Sequence, residues 1–445
     1  MKKKIANWGN YPVMESEEYS FSSVEMLRQG LHKEERSCIP RGNGRCYGDA
    51  SLAERTLSCL SFDHVLSFDP LKGIFECESG VILDQILEII VPRGWFLPVT
   101  PGTKFITVGG AIASDIHGKN HHVDGSFCDH VTEMDIMLSS GEIVTCSTHH
   151  HPDLFEATRG GMGLTGVILR AKFRLKKIAT SFIRQTKIKA GNLHELLELF
   201  HEYKGYTYTM SWIDCLKKGK DFGRSILMAG EHAMPDELSE KQQKQVLFPH
   251  SDTMFTFPVN LPSFALNQYS VKAFNFLYYH KNTRKHVSEV VPYDPFFYPL
   301  DKILEWNRGY GRNGFLQYQF VLPMESSKEG MVDILSRISS KGMGSFLAVF
   351  KIFGNQNGLI SFPMEGCTLA LDFPVRKALF PFLDELDRIV LDYGGRLYLT
   401  KDARMKPEVF WEGYQGARRF YDLIGKYNPG HRFRSLQSDR LGITS

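Results

Sequence analysis

Two textures of apolar and polar positions divide the chain near residue 178. Before it, short segments alternate with the two-residue period of a strand: V-T-E-M-D-I-M-L ahead of the turn S-S-G-E, and V-I-L-R-A-K-F-R-L over residues 167–175. Glycine-rich stretches separate them, which predicts strands carrying loops. From about 179 to 395 the segments lengthen. N-L-H-E-L-L-E-L-F-H-E-Y has helical spacing, whereas F-L-Q-Y-Q-F-V-L-P and S-F-L-A-V-F-K-I-F-G set polar side chains on alternate positions. A large sheet with helices packed on it is the expectation there. Residues 258–299 are crowded with Phe, Tyr and Pro, carry basic Lys281, Arg284 and Lys285, and keep neither period. They read as a long surface excursion. The chain shows no repeat and no low-complexity tract.

Composition adds bounds. At 445 residues, 42% hydrophobic and 23% charged, the chain is long enough for two or three cores and has the make-up of an ordinary globular enzyme. A formal charge of +3 is too mild, and the Lys and Arg too dispersed, for a nucleic-acid partner. The eight cysteines (38, 46, 59, 77, 128, 146, 215 and 367) include no C-x-x-C pair, so neither a zinc knuckle nor a redox dithiol is expected. A reducing cytoplasm suits such thiols. Met1-Lys2-Lys3-Lys4 is not followed by an apolar export segment, and no run of apolar residues is long enough to span a bilayer.

Glycine marks the candidate chemistry. R-G-N-G-R-C-Y-G-D (41–49) has the spacing G-x-G-x-x-x-G, one residue too long for the dinucleotide fingerprint of a Rossmann fold. P-G-T (101–103), T-V-G-G-A-I-A-S-D-I-H-G-K-N-H-H (107–122) and R-G-G-M-G-L-T-G (159–166) follow. Glycine lets the backbone approach an anion closely, and several such loops before residue 170 suit a long ligand with a pyrophosphate. Histidines 117, 121, 122, 149, 150 and 151 invite a metal reading, but their spacing puts no ligand set on one helix face. His149–His151 precede Pro152 at a predicted helix start and read as a solvated turn, so no metal is expected.

Taken in order from residue 41 to 404, these loops resemble the flavin oxidoreductases of the vanillyl-alcohol oxidase type, together with G-S-F, G-M-G-L-T-G-V-I-L-R, E-W-N-R-G-Y-G-R-N-G-F-L-Q-Y-Q-F-V-L-P and G-G-R-L-Y-L-T-K-D-A-R. I-H-G-K-N-H-H and F-L-Q-Y-Q-F are similar to the subgroup that acts on polyprenyl-phosphate sugars. The resemblance implies an α+β protein of two domains: a FAD-binding domain over 1–178 and 396–445, and an antiparallel-sheet substrate domain over 179–395. It implies FAD contacts at Arg41, Gly42, Asn43, Gly44, Arg45, Cys46, Tyr47 and Gly48. Further contacts are implied at Pro101, Gly102, Thr103, Val108, Gly109, Gly110, Ala113, Ser114, Ile116, His117, Gly118, Asn120, Val167 and Tyr398. Tyr47 stands where many relatives carry the histidine that bonds the flavin covalently, so FAD is expected to be non-covalent.

For catalysis the resemblance implies Lys401 with Tyr47 beside it, and His117 close to the flavin. A lysine is protonated near neutral pH unless burial depresses its pKa, so Lys401 is read either as base or as flavin electrostatics. The substrate would meet Trp212, Tyr298, Gln317, Gln319, Lys351, Thr368 and Lys401. Gln317 and Gln319, two apart on a strand, face the same way and can bond sugar hydroxyls. The chain departs from the subgroup at Ala370, where relatives carry a cysteine, and at Thr368, where they carry an asparagine. The implied reaction oxidises the ribose 2-hydroxyl of a polyprenyl-phosphoryl ribose, and an NAD(P)H-dependent ketoreductase partner completes an epimerisation to arabinose. The electron acceptor would be a quinone or oxygen. Location is expected to be cytoplasmic, with peripheral membrane contact through 258–299. The competing reading is an oxidase of a free sugar, alditol or aldonolactone.

Overall fold

The computed structural model describes residues 2–33, 36–249, 255–262, 265–281 and 283–444. Its largest sheet has eight strands, ordered His286–Pro292, Phe182–Ala190, Ser225–His232, Tyr208–Ile213, Ala348–Phe353, Gly366–Pro374, Phe315–Pro323 and Arg396–Leu397. Every neighbouring pair is antiparallel. The period-two pattern of F-L-Q-Y-Q-F is realised here. Leu316, Tyr318 and Phe320 are buried on one face, and helices Ser327–Lys341 and Leu379–Asp392 pack against that strand. Gln317 and Gln319 point to the other face, into a cavity.

Two smaller sheets precede it. Lys2–Ile5, Met14–Ser20, Arg55–Ser58 and Ile39–Arg41 form a mixed sheet, and Val65–Asp69, Ile74–Glu78, Val167–Arg174, Val131–Met137 and Ile143–Cys146 an antiparallel one. The two sequence-predicted strands of this part pair directly, with Ile168 opposite Ile136. Their outward charges lie beside each other, so Arg170 bonds Glu133 at 3.0 Å as well as Glu76 and Asp135.

The end of the chain returns to the first loop. Helix Ala417–Tyr427 packs on Pro152–Thr158, Cys38 bridges Phe433, and Arg440 joins buried Asp49 (2.8 Å) to buried Asp402 (2.7 Å). Truncating Arg440 would leave two carboxylates buried without their counter-charge, which is strongly destabilising.

The expected excursion over 258–299 is corrected in its second half. His286–Pro292 is an edge strand of the large sheet, and Tyr293–Phe297 is a short helix whose Tyr293, Phe296 and Phe297 are core residues. The run of aromatics that hid any period is core packing, with Phe96 and Tyr208 edge-on to Phe297 and its neighbours. Gln268–Lys281, in the first half, is a 14-residue helix with outward apolar side chains. Ser263, Phe264 and Asn282 of this stretch lie outside the described residues. No helix among the described residues is long and apolar enough to cross a membrane.

Candidate active site

One cavity of about 790 Å³ runs between the glycine loops and the open face of the large sheet. Arg41 fixes the first loop: it donates to Ala6 O (2.9 Å), to Ser51 O (3.2 Å) and to Asn7 Oδ1. Backbone bonds from Trp8 N to Cys46 O (2.9 Å) and from Tyr47 N to Thr400 O (2.9 Å) clamp it from both sides. At Gly42 a Cβ would lie 2.3 Å from Thr107 Oγ1, so only glycine lets these two loops meet. Thr107 caps helix Val108–Ala113 by accepting from Gly110 N at 3.1 Å. A Cβ at Gly110 would meet nothing else within 4 Å, and one at Gly102 nothing at all, so both lie against open cavity.

Lys401 enters this cavity from the turn after Tyr398, its Nζ 3.7 Å from the centre of the Tyr47 ring. Among the described residues it has no carboxylate within ion-pair distance. Burial pushes its pKa down to about 7; the Asp372 carboxylate works against the fall and Lys351 adds to it. Lys401 therefore lines the cavity and is not a surface ion-pair lysine; its neighbour Asp402 pairs with Arg440 instead, and Asp372 is fully buried. Gln317 Nε2 donates to Asp372 Oδ1 at 2.6 Å and Tyr310 OH to its Oδ2 at 3.2 Å. Burial raises Asp372 to about 7. Burial, with Asp372 nearby, holds the Tyr47 phenol well above its ordinary range, so the phenol is neutral.

His117 sits across the cavity, edge-on to Phe353 at 4.6 Å and 5.4 Å from the Tyr398 ring. Its Nε2 meets Gln319 Nε2 at 3.2 Å and its Nδ1 meets Lys351 Nζ at 3.4 Å. Burial, then Lys351, depress its pKa far below the usual value, so the imidazole is neutral. A neutral ring carries one N–H, and whichever nitrogen has it needs an acceptor. Lys351, lowered to about 8 by burial, is still mainly an ammonium at neutral pH and faces Nδ1 as a donor, which leaves the ring N–H to Nε2.

Of the residues predicted from the sequence, the cavity gathers Arg41 to Tyr47, Pro101 to Thr103, Gly109, Gly110, Ala113, Ser114, Ile116, His117, Gly118, Trp212, Gln317, Gln319, Lys351, Tyr398 and Lys401. Six do not line it. Gly48 packs on Asp402, where a Cβ would lie 1.6 Å from the carbonyl oxygen. Val108 and Val167 are core residues, with Gly109 and Ile168 beside them reaching the cavity instead. Asn120 donates to Pro98 O (2.7 Å) and Asp124 (2.7 Å), a brace for its own turn. Tyr298 OH bonds Thr100 Oγ1 at 2.7 Å, behind the wall. Thr368 receives Gln319 Nε2 at 3.3 Å and so positions the glutamine.

Other lining residues were not read from the sequence. Lys119 donates to Phe297 O at 3.1 Å and is lowered to about 7 by burial and Lys351. Lys187, Met228 and Met210 lie side by side across three strands, and Val349 and Ala370 continue that face from Trp212. Their signal was present as strand alternation, but only register joins them. No cluster of three or more metal-ligating side chains occurs among the described residues, and His149–His151 form an exposed turn before helix Pro152–Thr158.

The chain's own residues fit FAD. The Arg45 guanidinium lies 4.1 Å over the Trp8 ring and, among the described residues, has no hydrogen-bond or ion-pair partner, so its donors remain for a phosphate. Gly102 and Gly110 leave the space such a group needs. Residues 24–147 match the FAD binding domain family. The fold and cavity define an FAD-dependent oxidoreductase of the vanillyl-alcohol oxidase type. The decaprenylphosphoryl-β-D-ribose oxidase of Mycolicibacterium smegmatis is 36% identical over 99% of this chain and 98% of its own length. The chain belongs to that family of flavin oxidases. More distant likenesses are a putative D-arabinono-1,4-lactone oxidase of Neurospora crassa, 28% identical over 35% of this chain and 28% of its own, and the Δ24-sterol reductase of Rattus norvegicus, 22% identical over 79% and 71%.

Proposed function

We propose that the chain oxidises the 2-hydroxyl of a polyprenyl-phosphoryl-β-D-ribose, with residues 1–178 and 396–445 holding the flavin and 179–395 holding the sugar and its lipid phosphate. The strand Arg396–Leu397, though counted with the flavin unit, pairs with Phe320 and Val321, and this pairing carries Tyr398 and Lys401 from the sheet to the flavin side. Arg41 to Tyr47, Pro101 to Thr103, Gly109, Gly110, Ala113, Ser114, Ile116, His117 and Tyr398 would hold FAD. FAD, when bound, supplies the two-electron acceptor for the carbinol hydride. Lys401 accepts the hydroxyl proton in its amine form, Tyr47 donates to the same region, and neutral His117 orders Gln319 and Lys351 for the sugar and phosphate. Lys119 gives a second N–H donor for that phosphate.

The observation that carries this reading is the continuity of the cavity. It passes from the glycine loops, across Lys401 and Gln319, to a mostly apolar end at Met210, Trp212, Met228, Phe274 and Tyr278, where the Lys187–Glu289 ion pair lies beside Met228. A free sugar or lactone would leave that end unfilled, whereas a prenyl chain fills it. The ketone product requires a reductase that returns a hydride to the other face, so an NAD(P)H-dependent ketoreductase is the partner this chemistry calls for, and a quinone or oxygen the terminal oxidant. The lipid substrate puts the protein at a membrane surface. Steady-state oxidation measured with phosphoryl ribose esters of increasing prenyl length tests the reading: kcat/KM rises with chain length if the apolar end binds the tail, and a rate indifferent to the tail, or higher with a free lactone, favours the competing oxidase.

A further inference from the structure

Helix Gln268–Lys281 forms part of the wall at the apolar end of the cavity. Its inner side seats Val271 and Asn275 in the protein, with Asn275 donating to Asp214 at 2.8 Å, and turns Phe274 and Tyr278 to the cavity, where Tyr278 lies 4.8 Å from Trp212 and Phe274 is edge-on to Phe346 at 5.2 Å. The opposite side, set by the helical spacing of 269, 272, 273, 276, 277 and 280, should by the usual pattern be polar. It instead exposes Tyr269 (72%), Phe276 (52%) and Leu277 (68%). Large apolar side chains grouped on a surface mark a site of association.

Charge identifies the occupant. No Asp or Glu occurs between Asp252 and Glu289, a span that carries Lys272, Lys281, Arg284 and Lys285; Lys285 is paired with Glu195 at 2.7 Å, so the positive charge of the span rests on the other three. Lys272 stands on the outer side among the three apolar residues, and Lys281 ends the helix. An apolar side fringed by long basic side chains, and free of acid, complements an anionic lipid surface, into which rings and Leu sink while Lys heads stay at the phosphates. The other side of the same helix faces the cavity, so a lipid-borne substrate would pass from bilayer to site without crossing water.

We infer that helix Gln268–Lys281 is a membrane-docking element, seating Tyr269, Phe276 and Leu277 in the interface of an anionic bilayer and opening the apolar end of the cavity toward it. This deepens, and rests on, the reading of the substrate as a polyprenyl phosphate. The test is flotation of the FAD-loaded full chain with vesicles of phosphatidylcholine alone and of phosphatidylcholine with phosphatidylglycerol. The parent floats with the anionic vesicles and is released by salt, whereas Phe276→Asp/Leu277→Asp lowers the bound fraction about tenfold or more at unchanged flavin content. Leu71→Asp, at an apolar residue 92% exposed elsewhere, floats like the parent. Should the double variant lose its flavin, the charge reversal Lys272→Glu/Lys281→Glu takes its place, with the same loss expected. Equal flotation of parent and variant, flotation indifferent to lipid charge, or a parent that stays in solution and instead self-associates through this side overturns the inference. Oxidation of a short-chain substrate in detergent-free solution separates the two levels: it is kept by the double variant if only docking is lost, and absent from the parent if the substrate reading itself is wrong.

Discussion

Replacing Lys401 separates two roles that the sequence leaves joined. With its pKa near 7, about nine-tenths of Lys401 is amine at pH 8, against about 0.3% for a lysine at its ordinary pKa, so burial raises the supply of base about three-hundredfold. Lys401→Ala removes the base and should slow substrate-driven flavin reduction by about 10²–10⁴. Lys401→Arg keeps a cation beside the Tyr47 ring but cannot give up its proton, and should be nearly as slow. The sign of the pH effect follows from the same pKa. Below about 7 the ammonium form accumulates and the parent's rate falls about tenfold per pH unit, whereas above it the rate levels off. Anaerobic stopped-flow bleaching of the flavin band at saturating substrate measures all three. An arginine variant within a few-fold of the parent would refute the proton-acceptor role in favour of electrostatics, and an alanine variant within a few-fold would refute both.

Asp372→Asn removes the charge that holds the Lys401 pKa up, so the acidic limb of the parent's profile should move to lower pH by on the order of one unit, and a limb that stays in place would sever the two residues. Gly110→Val extends methyls into open cavity while its Cβ meets only Thr107 Oγ1 at 3.1 Å; a folded protein with flavin occupancy below about one tenth is expected, and full occupancy would move the cofactor elsewhere. Acid or heat should release intact FAD, because Tyr47 is held as a neutral phenol and burial raises the Cys46 thiol at the cavity wall; flavin fluorescence that stays with the chain on a denaturing gel would contradict this.

Much of the site was legible because it is local. The glycine loops, the paired Gln317 and Gln319 and the helix after His151 are set by neighbours in sequence, and each falls where its pattern predicts. Residues whose role depends on distant partners were not. Nothing local marks Asp372, since an acid is seldom buried, and only the fold brings Tyr310 and Gln317 to its two oxygens. Gly48 resembles its neighbours in the loop, yet what it admits is the Asp402 backbone, from the far end of the chain. Lys119 stood beside the more conspicuous His117, and its burial under Phe297 comes from a segment that reads as surface. That segment, 286–299, hides its strand and core helix because nearly every position is apolar or aromatic, which erases the contrast on which periodicity depends.

The central claim is that one cavity brings a flavin and a polyprenyl-phosphate sugar together. Its most direct measurement is anaerobic mixing of the purified yellow protein with polyprenyl-phosphoryl-β-D-ribose, and separately with free ribose, alditols and aldonolactones, with the flavin absorbance followed and the sugar product analysed. The account predicts rapid, complete bleaching by the lipid-linked ribose with a 2-keto sugar as product, and slow or no bleaching by the free compounds. Bleaching by a free lactone or alditol at least as fast as by the lipid-linked ribose, or a ketone at any other carbon, would contradict it.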